Sequence, residues 1–188
     1  MSTSGTHVFC VAVASLLSVL AVSHAASAED ERSAEEYFKL GNEYFTGRQV
    51  DKAVEAYERC VEVDPKYKQG WYNLGITYGR QRKFRREIKA YQQAIVLDPV
   101  YLRAIYNLAV AYEDAQRYED ALTHYARVVE LDPAAVDAWV NKGILHARLG
   151  QVDEAIASYQ KALADDDEIA DAWFNLGIAF ARKADKAA

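Results

Sequence analysis

The sequence predicts an all-α solenoid of stacked helical hairpins, and three observations carry that expectation. Aligned with itself at an offset of 34 residues, the chain places side chains of the same type in column after column. Each unit holds two stretches with apolar residues at i, i+3, i+4 and i+7, the spacing of one buried helix face. All three prolines, Pro65, Pro99 and Pro133, share one column, where each stops a helix and biases the aspartate before it away from helical geometry.

Taken in order, the chain opens on a segment of different character. Residues 1–28 carry no Lys, Arg, Asp or Glu, run almost wholly apolar from Val8 to Val22, and then turn to small residues at Ser23, Ala25, Ala26, Ser27 and Ala28. This is the pattern of a secretory signal peptide cut near residues 25–28, although its start lacks the usual Lys or Arg. The 15-residue apolar run is shorter than the roughly 20 residues a spanning helix needs, so no stable membrane insertion is expected once the leader is removed. An uncleaved membrane anchor is the alternative. Residues 29–33 form a short acidic linker, and Cys60 becomes the single cysteine of the mature chain, expected as a small core residue.

Four units follow, at 34–67, 68–101, 102–135 and 136–169, then a further first helix over 170–184 and a tail at 185–188. In the first helix of each unit a large column reads Tyr37, Trp71, Ile105, Trp139 and Trp173, and a small one Gly41, Gly75, Ala109, Gly143 and Gly177. The small column lets the second helix approach, with the large side chain one turn earlier filling the space beside it. A third column, Tyr44, Tyr78, Tyr112, His146 and Phe180, places His146 in the core. In the second helix run Ala53, Glu87, Ala121 and Ala155, then Tyr57, Tyr91, Tyr125 and Tyr159. Glu87 is expected to push its helix outward or to pair with a nearby arginine. Asp165 and Asp167, standing for an apolar residue and the proline, predict a looser junction after the fourth unit.

The spacing Trp71, Leu74, Gly75, Tyr78, then Tyr91, Ala94, Pro99 closely resembles the tetratricopeptide repeat, over about Ala34 to Ala184. The resemblance implies a right-handed α-solenoid of about four repeats plus a C-terminal capping helix or partial fifth repeat. It also implies a concave groove lined by the residues one and five positions after the large column. Here these are Phe38, Tyr72, Tyr106, Val140 and Phe174, with Asn42, Ile76, Val110, Ile144 and Ile178, an apolar stripe of the kind that marks an interaction surface. Beside it lie Asn73, Asn107, Asn141 and Asn175, similar to the asparagine ladder of peptide-binding arrays, in which the amides hold a ligand backbone. The family's clamp for acidic carboxyl-terminal tails is incomplete. Asn42, Asn73 and Arg103 fit it, but Phe38 and Asn107 stand where it needs basic residues.

Net charge of -6 disfavours nucleic acid and anionic membrane surfaces as partners. Against that background the basic cluster Arg80, Arg82, Lys83, Arg85 and Arg86 suits an acidic partner, or else is a solvated turn that balances Glu87. The mature histidines His124 and His146 lie in different units without a Cys or His partner at metal-ligand spacing, and no glycine-rich phosphate loop is present. The expected protein is not an enzyme and takes no metal or cofactor. It is an exported adaptor, periplasmic or in the secretory pathway, holding a hydrophobic peptide segment of a partner protein for assembly of an envelope or secretory complex. The alternatives are a holdase-like chaperone and a self-assembling scaffold, a homo-oligomer joined through its last helix.

Overall fold

The computed structural model describes residues 32–187. Nine helices account for the secondary structure of the described residues: α1 Ala34–Thr46, α2 Val50–Val63, α3 Lys68–Arg80, α4 Phe84–Leu97, α5 Leu102–Asp114, α6 Tyr118–Leu131, α7 Val136–Arg148, α8 Val152–Asp165 and α9 Ala170–Ala187. Each packs against the helix before and after it, which is the nearest-neighbour stacking of a solenoid. The leader and residues 29–31 of the linker lie outside the described residues. Helix α9 extends to Ala187, so the expected tail is helical there; the alanines and the basic Lys183 of its last turns suit a helix carboxyl end.

Local chemistry sets the boundaries. Ser33 starts α1 with a capping box: the Glu36 amide donates to Ser33 Oγ at 3.3 Å, and the Ser33 amide donates to Glu36 Oε2 at 2.7 Å. Every turn inside a hairpin passes through the left-handed region at one column, with φ of 58° at Arg48, 57° at Arg82, 59° at Gln116 and 76° at Gly150. Glycine adopts that conformation freely, whereas the other three residues carry a cost of about 1 kcal/mol each.

Between hairpins the turn is held by aspartate. The Oδ1 atoms of Asp64, Asp98, Asp132 and Asp166 accept the amide two residues on, at 2.9, 3.2, 3.1 and 3.0 Å. Trp71 and Trp139 donate their indole N–H to the carbonyls of Pro65 and Pro133 at 2.9 Å, and Trp173 donates to that of Asp167 at 2.8 Å. The junction after the fourth unit therefore keeps the same turn, correcting the expectation of a looser one. Its aspartate and tryptophan survive where the proline does not.

Inside each hairpin it is the second-helix tyrosine, and not the large residue of the first helix, that fills the space over the small column. A Cβ on Gly41, Gly75 or Gly143 would sit 2.5, 2.6 and 2.5 Å from the rings of Tyr57, Tyr91 and Tyr159. Ala109 already carries that methyl in the third hairpin. Glu87 does not push its helix away: the Gly75–Tyr91 approach is as close as in the other hairpins. Its carboxylate lies over Gly79, where a Cβ would be 2.7 Å from Glu87 Oε1. The corresponding first-helix residues elsewhere are Phe45, Glu113 and Ala147, facing the small Ala53, Ala121 and Ala155. In the second hairpin the large side chain thus comes from the second helix and the small one from the first, the reverse of Phe45 with Ala53 and Glu113 with Ala121.

Candidate functional site

The expected groove residues Phe38, Tyr72, Tyr106 and Val140, with Ile76, Val110 and Ile144, share one face and are half-buried, their inner edges packed on the core. Phe174 is 69% exposed and Ile178 38% exposed, because no second helix covers α9 among the described residues. The same lack leaves a Cβ on Gly177 with nothing within 4 Å.

The asparagine column is already engaged. Asn107 donates its side-chain amide to the Tyr72 hydroxyl at 3.1 Å, and Asn141 donates to that of Tyr106 at 2.9 Å, each bond joining one repeat to the one before. Phe38 has no hydroxyl to accept, and Asn42 substitutes: its Oδ1 accepts from Asn73 at 2.9 Å and from the Tyr57 hydroxyl at 2.7 Å. For Asn175 the corresponding acceptor position is Val140, which has no hydroxyl, and its side chain makes no hydrogen bond among the described residues. These amide donors thus align successive repeats and fix the groove tyrosines, leaving the amide oxygens for other use.

A cleft of about 820 Å³ brings together Tyr72, Tyr106, Asn107, Val140 and Asn141. Its size falls within the roughly 300–1,000 Å³ typical of ligand sites. Asn42, Asn73 and Ile76 line a separate cleft of about 200 Å³, and Ile144 lines another of about 310 Å³ together with Asn175 and Ile178. The large cleft also contains Asp137, Asp166 and Asp171, which lie outside the apolar stripe expected from the sequence, and Arg103, expected there only as a clamp residue. The signal was present as a column of its own, Glu35, Gln69, Arg103, Asp137, Asp171, one turn before the groove aromatics. Burial, followed by the charge of Asp137, raises the pKa of the Tyr106 hydroxyl, so that group stays a neutral hydrogen-bonding partner.

The basic cluster is not one surface. Arg80 lies over the Phe45 ring at 3.8 Å, and Arg86 sits 3.8 Å from Glu58 and over Tyr78, so both tie the second repeat to the first. Arg82, Lys83 and Arg85 are exposed. None of them balances Glu87, which is 7% exposed with Oε2 lacking a hydrogen-bond partner. Burial, with Asp114 nearby, pushes its carboxyl up to about 7. This corrects both the arginine pairing and the charge-balancing turn.

His146 is half-buried and not a core residue, its Nδ1 2.6 Å from Gln151 Oε1, because the turn glutamine draws the ring outward. Cys60 is fully buried beneath Gly70, and burial pushes its thiol up to about 11, far from a reactive thiolate. Among the described residues no helix is long and apolar enough to cross a membrane.

Comparison with known proteins agrees with this geometry. A family model described as tetratricopeptide repeat matches residues 72–136, 106–168 and 140–188, and one described as TPR repeat matches 41–81. No curated protein sequence matches the chain. Among solved structures, a MamA protein is similar at 24% identity and a TM-score of 0.77, over 80% of this chain and 82% of that one. MamA from Desulfovibrio magneticus RS-1 is similar at 21% identity and a TM-score of 0.74, over 81% and 86%. YrrB, described as a TPR protein with an unusual peptide-binding site, is similar at 22% identity and a TM-score of 0.73, over 85% and 82%. At these identities the likeness speaks for the fold.

Proposed function

Because the chain belongs to the tetratricopeptide repeat family, we propose that it is an exported, non-enzymatic adaptor that holds a hydrophobic segment of a partner protein in its groove. The observation that carries this reading is the cleft around Tyr72, Tyr106 and Val140, whose aromatic walls are locked by Asn107 and Asn141 before any ligand arrives. Such preorganisation lowers the ordering cost of binding. Each apolar anchor buried there contributes roughly 1.5–3 kcal/mol before that cost, so about four anchors give an affinity on the order of micromolar. The peptide-binding site named for YrrB is in keeping with this role. The leader over residues 1–28 directs the adaptor out of the cytoplasm to serve an envelope or secretory assembly.

Photo-crosslinkers placed at Tyr72 and Tyr106 test the proposal. Stoichiometric capture of one or two partners is expected. Crosslinks forming at Arg82 and Arg85 but not in the cleft would sink it. Many unrelated products at Tyr72 and Tyr106 would instead indicate a holdase.

A second reading is favoured by α9, where Trp173 and Phe180 are 55% and 48% exposed beside the open Gly177. A second copy stacked there would make the protein a scaffold, and light scattering that finds a monomer at high concentration disposes of it.

A further inference from the structure

In the first two repeats each groove ring packs, tilted, against an aromatic side chain that precedes the next first helix. Phe38 lies on Tyr67 and Tyr72 on Tyr101, both pairs with centroids 5.2 Å apart. At the third step that column holds Ala135, and the ring beside Tyr106 is Tyr125 of its own hairpin. The backbone is not diverted to compensate. Ala135 has φ -72° and ψ 76°, against -74° and 83° at Tyr67 and -70° and 81° at Tyr101. What has gone is a ring, and the large cleft opens in its place, bounded by Tyr106, Ala135, Val140 and Ile169.

A second departure sets the charge of that space. Lys68 places its ammonium 2.6 Å from Asp98 Oδ2 and 4.8 Å from the centre of the Tyr101 ring, so ring, cation and carboxylate form one cluster in the second repeat. In the next two repeats the lysine column holds Leu102 and Val136. Asp166, the counterpart of Asp98, lines the open cleft with Asp137 and Asp171, and none of the three is paired with a cation among the described residues. Arg103 on α5 offsets one of these charges. The molecule thus displays, one and two repeats earlier, the groups that are missing here.

We infer that this cleft takes a segment of a partner polypeptide bearing an aromatic side chain next to a lysine or arginine. The ring packs against Tyr106 over Ala135, in the place that Tyr67 and Tyr101 hold in the earlier repeats. The cation reaches the carboxylates of Asp137, Asp166 and Asp171, as Lys68 reaches Asp98. The inference rests on the groove reading above and states what the bound segment must carry.

The test is selection of a random nine-residue peptide library on the full chain, followed by affinity measurements on the enriched peptides. Enrichment of aromatic residues adjacent to Lys or Arg is expected. Ala135→Tyr, which supplies the missing ring from within, should weaken those peptides by roughly tenfold or more with the thermal melt preserved. Asp137→Asn with Asp171→Asn, both at exposed sites, should weaken them by roughly threefold at low salt and less at high salt. This pair keeps the idea testable if Ala135→Tyr fails to fold. Purely aliphatic winners that Ala135→Tyr still displaces overturn the aromatic–basic assignment and leave the groove reading intact. No enrichment, or winners that crosslink away from the concave face, overturns both. A dimer of the free chain that Ala135→Tyr dissolves assigns the cleft to a second copy and overturns the proposal.

Discussion

The first two repeats and the last two share one backbone plan but use it in opposite ways. In the first pair the groove rings are more fully packed: Phe38 and Tyr72 each touch two rings, and Lys68 neutralises Asp98. Beyond Tyr106 the same columns are filled by Ala135, Val136 and Ile169, the carboxylates stand unpaired, and the space is open. A repeat array therefore makes a binding site by omission. Stability comes from the columns that persist, and recognition from those that lapse.

The largest effect that separates the two regions concerns the small column. Gly75→Leu forces a side chain into the Tyr91 ring and should cost at least about 3 kcal/mol, whereas Gly177→Leu points into open space and should gain a few tenths through helix propensity. Urea unfolding of both variants decides the matter. Comparable losses would mean that α9 is covered after all.

A smaller effect belongs to the second repeat, which places an acid in its hairpin core. Glu87 is buried with its carboxyl pushed up to about 7 from 4.5, so between those values the native chain keeps a proton that the unfolded chain has lost. Stability should fall as pH rises through that window, by at most roughly 3 kcal/mol, and stay at the lower level above it. Glu87→Gln should remove this contribution and leave the variant the more stable form at pH 8. If the variant loses as much stability as the parent between pH 5 and pH 8, the burial of this group has been misjudged.

The finest distinction lies within the groove itself. Tyr72→Ala removes contacts to Tyr91 and Tyr101 and the bond from Asn107, while Tyr106→Ala removes those to Tyr125 and from Asn141. The former should be worse by about 1 kcal/mol, the worth of one aromatic pair. Equal losses in thermal unfolding would show that Tyr106 is as enclosed as Tyr72, and the contrast between the two regions would fail.

How much of this was legible in advance depends on the kind of signal. The 34-residue columns placed all nine helices, because periodic burial is written directly into residue type. Pairings across a hairpin were not legible one column at a time. Glu87 is out of place in its own column and is accommodated by Gly79 across the hairpin, and His146, core by its column, instead lies beside Gln151. The groove stripe follows from the family resemblance, whereas Asp137 and Asp171 are not legible as a site because their column changes sign between Arg103 and Asp137.

The sequence by itself determined the repeat, its registry and the face that each helix buries, since these follow from spacing along one chain. Only the tertiary structure decided what the asparagines do and where the groove is open. A hydrogen bond from Asn107 to Tyr72, or a gap where Ala135 replaces a ring, depends on distances between residues of different repeats. Helical periodicity fixes which way a side chain faces, and packing fixes what it meets.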